Sequence, residues 1–341
     1  MLYMRDTMSW RPDWLPARPT MAMTRATAAV LTLALLGGCG REQPAPPAPL
    51  PFLVYTAASI AQPMRVALDS FARRSGSRYE LESASSLELV RRVQTLHGEP
   101  DVIALADPEL FVTMLEPSVV TWHALFARNR IVLAYTAHSR GAAGITASNW
   151  WEVLEQSGVE VGRSDPATDP SGYRTLLVWQ LAARHYRMPD LSARMLRAAP
   201  ERNVRPREAD QVALLEAGEL DYIWTYENLA RLMGLRFIRL PGEIDLGEAA
   251  DSAAYALAST RVPGVRLGDS ITVRGRPILF GVSVPTTAPH ARAGRNFVAF
   301  LLSPTGRRIL RGASLDALET PTVVGSRVPA LVREAAAASE P

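Results

Sequence analysis

From Phe52 onward, apolar and polar positions along the chain alternate between two rhythms. Short apolar runs at Phe52-Leu53-Val54-Tyr55, residues 79–81 and Asp101-Val102-Ile103-Ala104-Leu105 read as strands. Between them, apolar residues recur at helical spacing: Met64, Ala67, Leu68 and Phe71 first, then the segment 87–96. The pattern resumes with a buried strand at 131–135, a helix over 149–156 and a strand over 159–162. A long amphipathic helix over 173–186, a helix over 208–217 and strands at 220–224 and 236–238 follow. Residues 261–276, rich in glycine, valine and arginine, read as an extended connection. A strong strand over 277–285 and helices over 292–302 and 304–311 complete the body. Strand–helix–strand at this rhythm predicts an α/β fold with parallel sheets covered by helices. Two lobes with a ligand between them is the economical arrangement, because open α/β sheets bind ligands at the carboxyl ends of their strands.

The stretch Ser164-Asp165-Pro166-Ala167-Thr168-Asp169-Pro170-Ser171-Gly172-Tyr173-Arg174 lies between a strand and that long helix. Such a loop aims backbone N–H groups and the positive end of a helix dipole at one spot, a plausible anion site. Asp169 sits awkwardly there, as a negative charge where an anion would bind. It also fits an ordinary N-cap followed by proline at the first helical position, so capping and ligand binding stand side by side. Ser85 and Glu88 have capping-box spacing, which leaves Ser86 with less need to cap. Arg174, Arg205 and Arg207 read as solvated cations or partners of Glu208, and Trp150-Trp151 as packing residues.

Ahead of the body, residues 21–38 have Arg25 and an apolar core over 28–36, the form of an export signal too short to span a membrane. Leu36-Gly37-Gly38-Cys39 resembles a bacterial lipoprotein cleavage box, which would make Cys39 a lipidated first residue. Residues 39–50 are a proline-rich spacer. Cys39 is the sole cysteine, so an exported fold would hold together without disulfides. The net charge falls from +3 to +1 once the four arginines and two aspartates of residues 1–38 are set aside, which gives no support to a nucleic-acid partner.

Several motifs occur in colinear order. Thr56-Ala57-Ala58-Ser59-Ile60, Ser85-Ser86-Leu87-Glu88, residues 101–107 and 126–136, the 164–174 loop, Arg205-Pro206-Arg207-Glu208, residues 215–222 and 277–285 together resemble molybdate/tungstate-binding proteins of ABC importers, of the archaeal-type branch. That resemblance implies a two-lobe periplasmic-binding-protein fold of type II, each lobe a mixed, mostly parallel sheet flanked by helices, with two crossings of the chain. Residues 51–136 plus 261–333 would form lobe I, residues 137–260 lobe II, and 334–341 a tail. It implies oxyanion contacts from Ser59, Ser86, Ser171 and Tyr226, and metal ligation of tungstate or molybdate by Asp169 and Glu208. Where the branch usually has cysteine before Gly172, this chain has Ser171, and Asp165 stands where asparagine is common. No cofactor and no enzyme activity are expected. The partners would be an ABC permease with its ATPase, a membrane reached through lipid on Cys39, and the oxyanion, with a monomeric protein outside the cytoplasm in the periplasm or cell envelope.

Chemistry gives the carboxylates a purpose. Tetrahedral dianions look alike to a ring of N–H and O–H donors. Carboxylates beside them cost several kcal/mol at close, poorly screened range. Sulfur and phosphorus do not readily take further oxygen ligands in these anions, whereas tungsten and molybdenum expand to six, and hard oxygens suit them. A carboxylate pair can therefore repel sulfate and phosphate while binding tungstate. The rival readings are a binder of another oxyanion, a ferric-iron binder using Tyr222, Tyr226 and carboxylates, a secreted hydrolase, or a sensor lipoprotein. None of His97, His123, His138, His185 and His290 sits in a nucleophile motif.

Overall fold

The structure, a computed structural model, describes residues 50–264 and 268–339. The expected export signal, Cys39 and the spacer up to residue 49 lie outside the described residues. The chain enters through β1 (Phe52–Ala57), α1 (Ala61–Ser75), β2 (Tyr79–Ala84), α2 (Ser86–Thr95), β3 (Val102–Leu105) and β4 (Trp122–Asn129). Met64, Ala67, Leu68 and Phe71 do form the buried face of α1, which Gly76 ends in the left-handed conformation. Next come β5 (Ile131–Tyr135), α3 (Trp150–Leu154), β6 (Val161–Ser164), α4 (Pro170–His185), α5 (Leu191–Ala198) and β7 (Val204–Arg205). After them lie α6 (Ala209–Glu216), β8 (Tyr222–Tyr226), α7 (Glu227–Leu232), β9 (Arg236–Arg239), α8 (Gly242–Asp245) and α9 (Ser252–Tyr255). The chain then runs through β10 (Ser259–Pro263), β11 (Ser270–Arg274), β12 (Ile278–Ser283), α10 (Ala291–Leu302), α11 (Pro304–Gly312), β13 (Asp316–Gly325) and α12 (Ala330–Ala337).

Two mixed sheets result. The first runs β13-β4-β12-β3-β1-β2 and draws strands from both ends of the body, and the second runs β7-β6-β8-β5-β9. Pairings of β1 with β2 and β3, and of β6 with β7 and β8, are parallel, as helix-connected strands require. The remaining neighbours are antiparallel. Among the described residues, no helix is long and apolar enough to cross a membrane.

Three expectations change. β5 pairs with β8 and β9, so the first crossing falls at Arg130, between adjacent strands of different sheets, and not after Thr136. The 261–276 connection is an antiparallel ribbon of β10 and β11, with Val262 buried. The expected tail begins inside α12, whose Val332 and Ala336 are buried against the core.

Candidate functional site

Every site residue expected from the sequence lies at or beyond the carboxyl end of a strand. Ser59 follows β1, Ser86 opens α2 after β2, and Asp169 and Ser171 open α4 after β6. Glu208 precedes α6 after β7, and Tyr226 ends β8. The first two belong to the first sheet and the others to the second, so the set straddles the two halves. All six are buried, at 5% exposure or less.

Hydrogen bonds tie them into one cluster. Asp169 caps α4, its Oδ1 accepting from Ser171 N at 2.9 Å, and its Oδ2 accepts from Glu208 N at 3.0 Å. The capping reading is therefore right as far as it goes, but the second oxygen joins two helix starts 39 residues apart. Glu208 Oε1 accepts from Thr225 Oγ1 and from Tyr226 N. The Tyr226 hydroxyl accepts from Arg174 Nη1 at 2.6 Å, which leaves its own proton to be donated elsewhere. Ser86 Oγ accepts from Ala106 N at 3.0 Å and likewise keeps its proton. Ser59 O accepts from Asn228 Nδ2 at 2.8 Å, two residues beyond Tyr226. Leu87 N, beside the first sheet, donates to Thr168 O, beside the second, at 3.3 Å, which brings the start of α2 against the loop before α4.

Three buried polar atoms of this cluster have no hydrogen-bond partner: Glu208 Oε2, Ser171 Oγ and Ser85 Oγ. Buried polar atoms are ordinarily satisfied, so three together mark a place where a polar ligand would complete the bonding. Ser85 replaces the expected capping role with this one. Its side chain makes no cap bond, and Glu88 pairs instead with Arg92 one turn along α2. Burial pushes the Glu208 carboxyl up to about 8, with the Asp169 charge adding to the effect, and burial likewise pushes Asp169 up to about 6.

Arg174 departs most from expectation. It is 3% exposed and does not pair with Glu208. Nη1 donates to Ala106 O at 2.6 Å and to Tyr226, while Nη2 lies 3.5 Å from Asp107 Oδ1. Its position three residues after Ser171 puts it on the same helical face, a spacing that could have revealed it. Arg207, by contrast, pairs with Asp210 at the surface. The ferric-iron arrangement loses its tyrosine pair, because Tyr222 stands at the opposite end of β8 from Tyr226 and donates to Arg140 O. Among the described residues, no group of three or more His, Cys, Asp or Glu is gathered that could hold a metal ion.

Gly172 is required by close approach. A Cβ there would lie 2.5 Å from Ser164 O and 2.6 Å from both Asp165 C and Pro166 N. Gly172→Ala is expected to lift the first turn of α4 from the 164–166 backbone, costing about 1–3 kcal/mol. Thermal unfolding measures that cost directly. An unchanged melting temperature would mean that the turn has room to move.

A family model for bacterial extracellular solute-binding proteins matches residues 52–313. The chain is 36% identical over 270 residues to an uncharacterized solute-binding protein of Petrotoga mobilis, covering 79% of this chain and 84% of that one. It is 30% identical over 324 residues to the molybdate/tungstate-binding protein of Pyrococcus abyssi, covering 87% and 92%. Among solved structures, the periplasmic molybdate-binding protein of Azotobacter vinelandii superposes with a TM-score of 0.52 at 15% identity, over 77% of this chain and 98% of that one. The sulfate-binding protein of Mycobacterium tuberculosis gives 0.56 at 15% identity, over 83% and 89%. At those identities the structural likeness establishes the fold, that of periplasmic binding proteins.

Proposed function

The chain belongs to the bacterial extracellular solute-binding protein family, and on that premise we propose that it captures tungstate or molybdate between its lobes and delivers it to an ABC permease. The observation that carries this reading is the unpartnered, buried Glu208 Oε2 beside unpartnered serine hydroxyls. Sulfate, which has no proton to give, has no use for a buried carboxylate oxygen, whereas a metal that accepts further oxygen ligands does. In this reading Ser59, Ser86, Ser171 and Tyr226 donate to the oxyanion, joined by Ser85, and Glu208 ligates the metal through Oε2. Asp169 supplies the second carboxylate from a lone pair its two backbone bonds leave open. Lipid on Cys39 would keep the protein at the membrane near the permease.

Calorimetry with tungstate, molybdate and sulfate, joined to X-ray absorption on the tungstate-loaded protein, tests the proposal. At pH 9, with Glu208 ionised, six-oxygen coordination with no sulfate binding is the expected result. Tetrahedral tungstate bound no better than sulfate would sink it.

The raised carboxyl groups add a pH dependence. A carboxylate ligates only when deprotonated, so binding must expel the proton that Glu208 holds at neutral pH. Tungstate affinity should therefore rise about tenfold per pH unit between about pH 6 and 8 and level off above. The ligand-free protein should move oppositely. Both groups are raised above their unfolded values, so their stability contribution is complete below about pH 4 and is lost as pH rises through about 6 and then 8. Calorimetric titrations and melts from pH 5 to 9 check both signs. Affinity that falls through pH 8 would instead make Glu208 a protonated donor to an oxyanion oxygen.

A further inference from the structure

The two residues that follow the anion-binding turn reach out of their own lobe. Tyr173 is fully buried, yet its ring belongs to the cluster of Leu87, Val90, Ile103, Leu105 and Phe111, all from the first lobe. Its hydroxyl donates to Asp107 Oδ2 at the end of β3. Arg174 approaches the other oxygen of Asp107, donates to the neighbouring Ala106 carbonyl, and turns back to Tyr226 of its own lobe. Its guanidinium also lies 5.9 Å from the Tyr173 ring centroid and 5.8 Å from that of Tyr226. Asp107 is 3% exposed and is gripped on both carboxylate oxygens from across the cleft.

From this geometry we propose that Tyr173, Arg174 and Asp107 form a closure latch, positioning residues that set how long the lobes stay shut on the bound oxyanion. The proposal rests on the oxyanion-binding reading for its ligand, but the contacts themselves involve none of the anion-donating groups except Tyr226. α4 carries both halves of the device. Its first turn presents Asp169 and Ser171 to the anion, and the two residues after that turn, Tyr173 and Arg174, lock into the opposite lobe. Anion capture and lobe closure are thus properties of one rigid helix start. When the lobes part, the Tyr173 ring must leave an apolar socket, and the buried Asp107 carboxylate loses its hydroxyl and guanidinium partners, keeping only the Glu109 N–H on Oδ1. That penalty falls on the opening step, so it acts on release rather than on encounter.

Tyr173→Phe keeps the ring in its socket and removes only the hydroxyl bond, and Asp107→Asn removes the charge that both partners grip. Stopped-flow tungstate binding, followed by the fluorescence of Trp179 on α4 and Trp224 on β8, separates the two rates. Both variants should release tungstate about ten- to a hundredfold faster, as expected for a lost hydrogen bond to a buried charge, with association changed less than threefold. A structural role alone would lower the melting temperature without splitting the rates in this way. Release within twofold of the unsubstituted protein would overturn the latch. If the unsubstituted protein binds no tungstate or molybdate, the oxyanion reading fails by itself. Small-angle scattering of the ligand-free proteins then decides the latch. A larger radius of gyration in Asp107→Asn supports it, and identical curves overturn it.

Discussion

At pH 9, above the raised Glu208 titration, replacing Glu208 by glutamine should lower tungstate affinity by about a hundredfold or more while sulfate binding appears where there was none. The argument starts from Oε1, which Thr225 and the Tyr226 amide already hold. Both are donors, so the glutamine carbonyl will take that place and its NH2 will stand where Oε2 stood. A group that could ligate a metal becomes a group that donates to an oxyanion oxygen. At pH 9, where Glu208 is ionised, the buried negative charge beside the anion disappears at the same time, and its repulsion is worth several kcal/mol at close range. Loss of one charged interaction of this kind corresponds to about two orders of magnitude in affinity. Tungstate loses a ligand, whereas sulfate loses only an obstacle. Competition calorimetry reads the exchange directly. X-ray absorption on the Asp169→Ala, Glu208→Ala double variant should show the remaining tungstate four-coordinate. Unchanged selectivity in Glu208→Gln would show that the carboxylate is not what discriminates.

Arg174→Ala should be the most damaging single substitution for stability, by about 3–5 kcal/mol. Truncation leaves Asp107 buried without its cation and the Ala106 carbonyl without its donor. Tyr226 loses the bond that orients its hydroxyl, and the Asp169 and Glu208 carboxyls lose the positive charge nearest to them. For a body of this size the melting temperature should fall by roughly 6–10 °C. Arg174→Lys keeps the charge but not the fork that serves Ala106 and Tyr226 together, and should fall between the two. Thermal unfolding of the ligand-free proteins by tryptophan fluorescence decides it. A shift of less than about 2 °C for Arg174→Ala would mean that the buried charge network contributes little.

Much of this architecture is written in local pattern. The faces of α1 and α4 and the strands β1, β3, β5, β8 and β12 are buried apolar runs with clear periods, and they fall close to where those periods place them. β4 carries His123 and Asn129 among its buried residues, with Arg128 exposed between buried neighbours, and shows neither period cleanly. β13 is largely exposed, contains Pro321 and shifts register against β4, so its strand character comes from its partner and not from its own residues. α12 is rich in alanine, which permits a helix without announcing a buried face.

The same division runs through the site. The residues themselves determine that a proline-capped helix begins at Asp169, that hydroxyls and carboxyls follow several strand ends, and which family the chain resembles. Local pattern cannot say which lone pairs are left over. Spacing along the chain assigns Ser85 the cap and leaves Ser86 the spare hydroxyl, but packing against β3 engages Ser86 Oγ with Ala106 N and leaves Ser85 Oγ without a partner. Asp169 looks like a cap because it is one, and only the approach of the α6 start gives its second oxygen the Glu208 amide. Arg174 is an arginine on an amphipathic helix until the other lobe closes over it. Such distinctions are made between residues dozens of positions apart, where burial removes water as an alternative partner and every polar atom must be answered by another part of the chain.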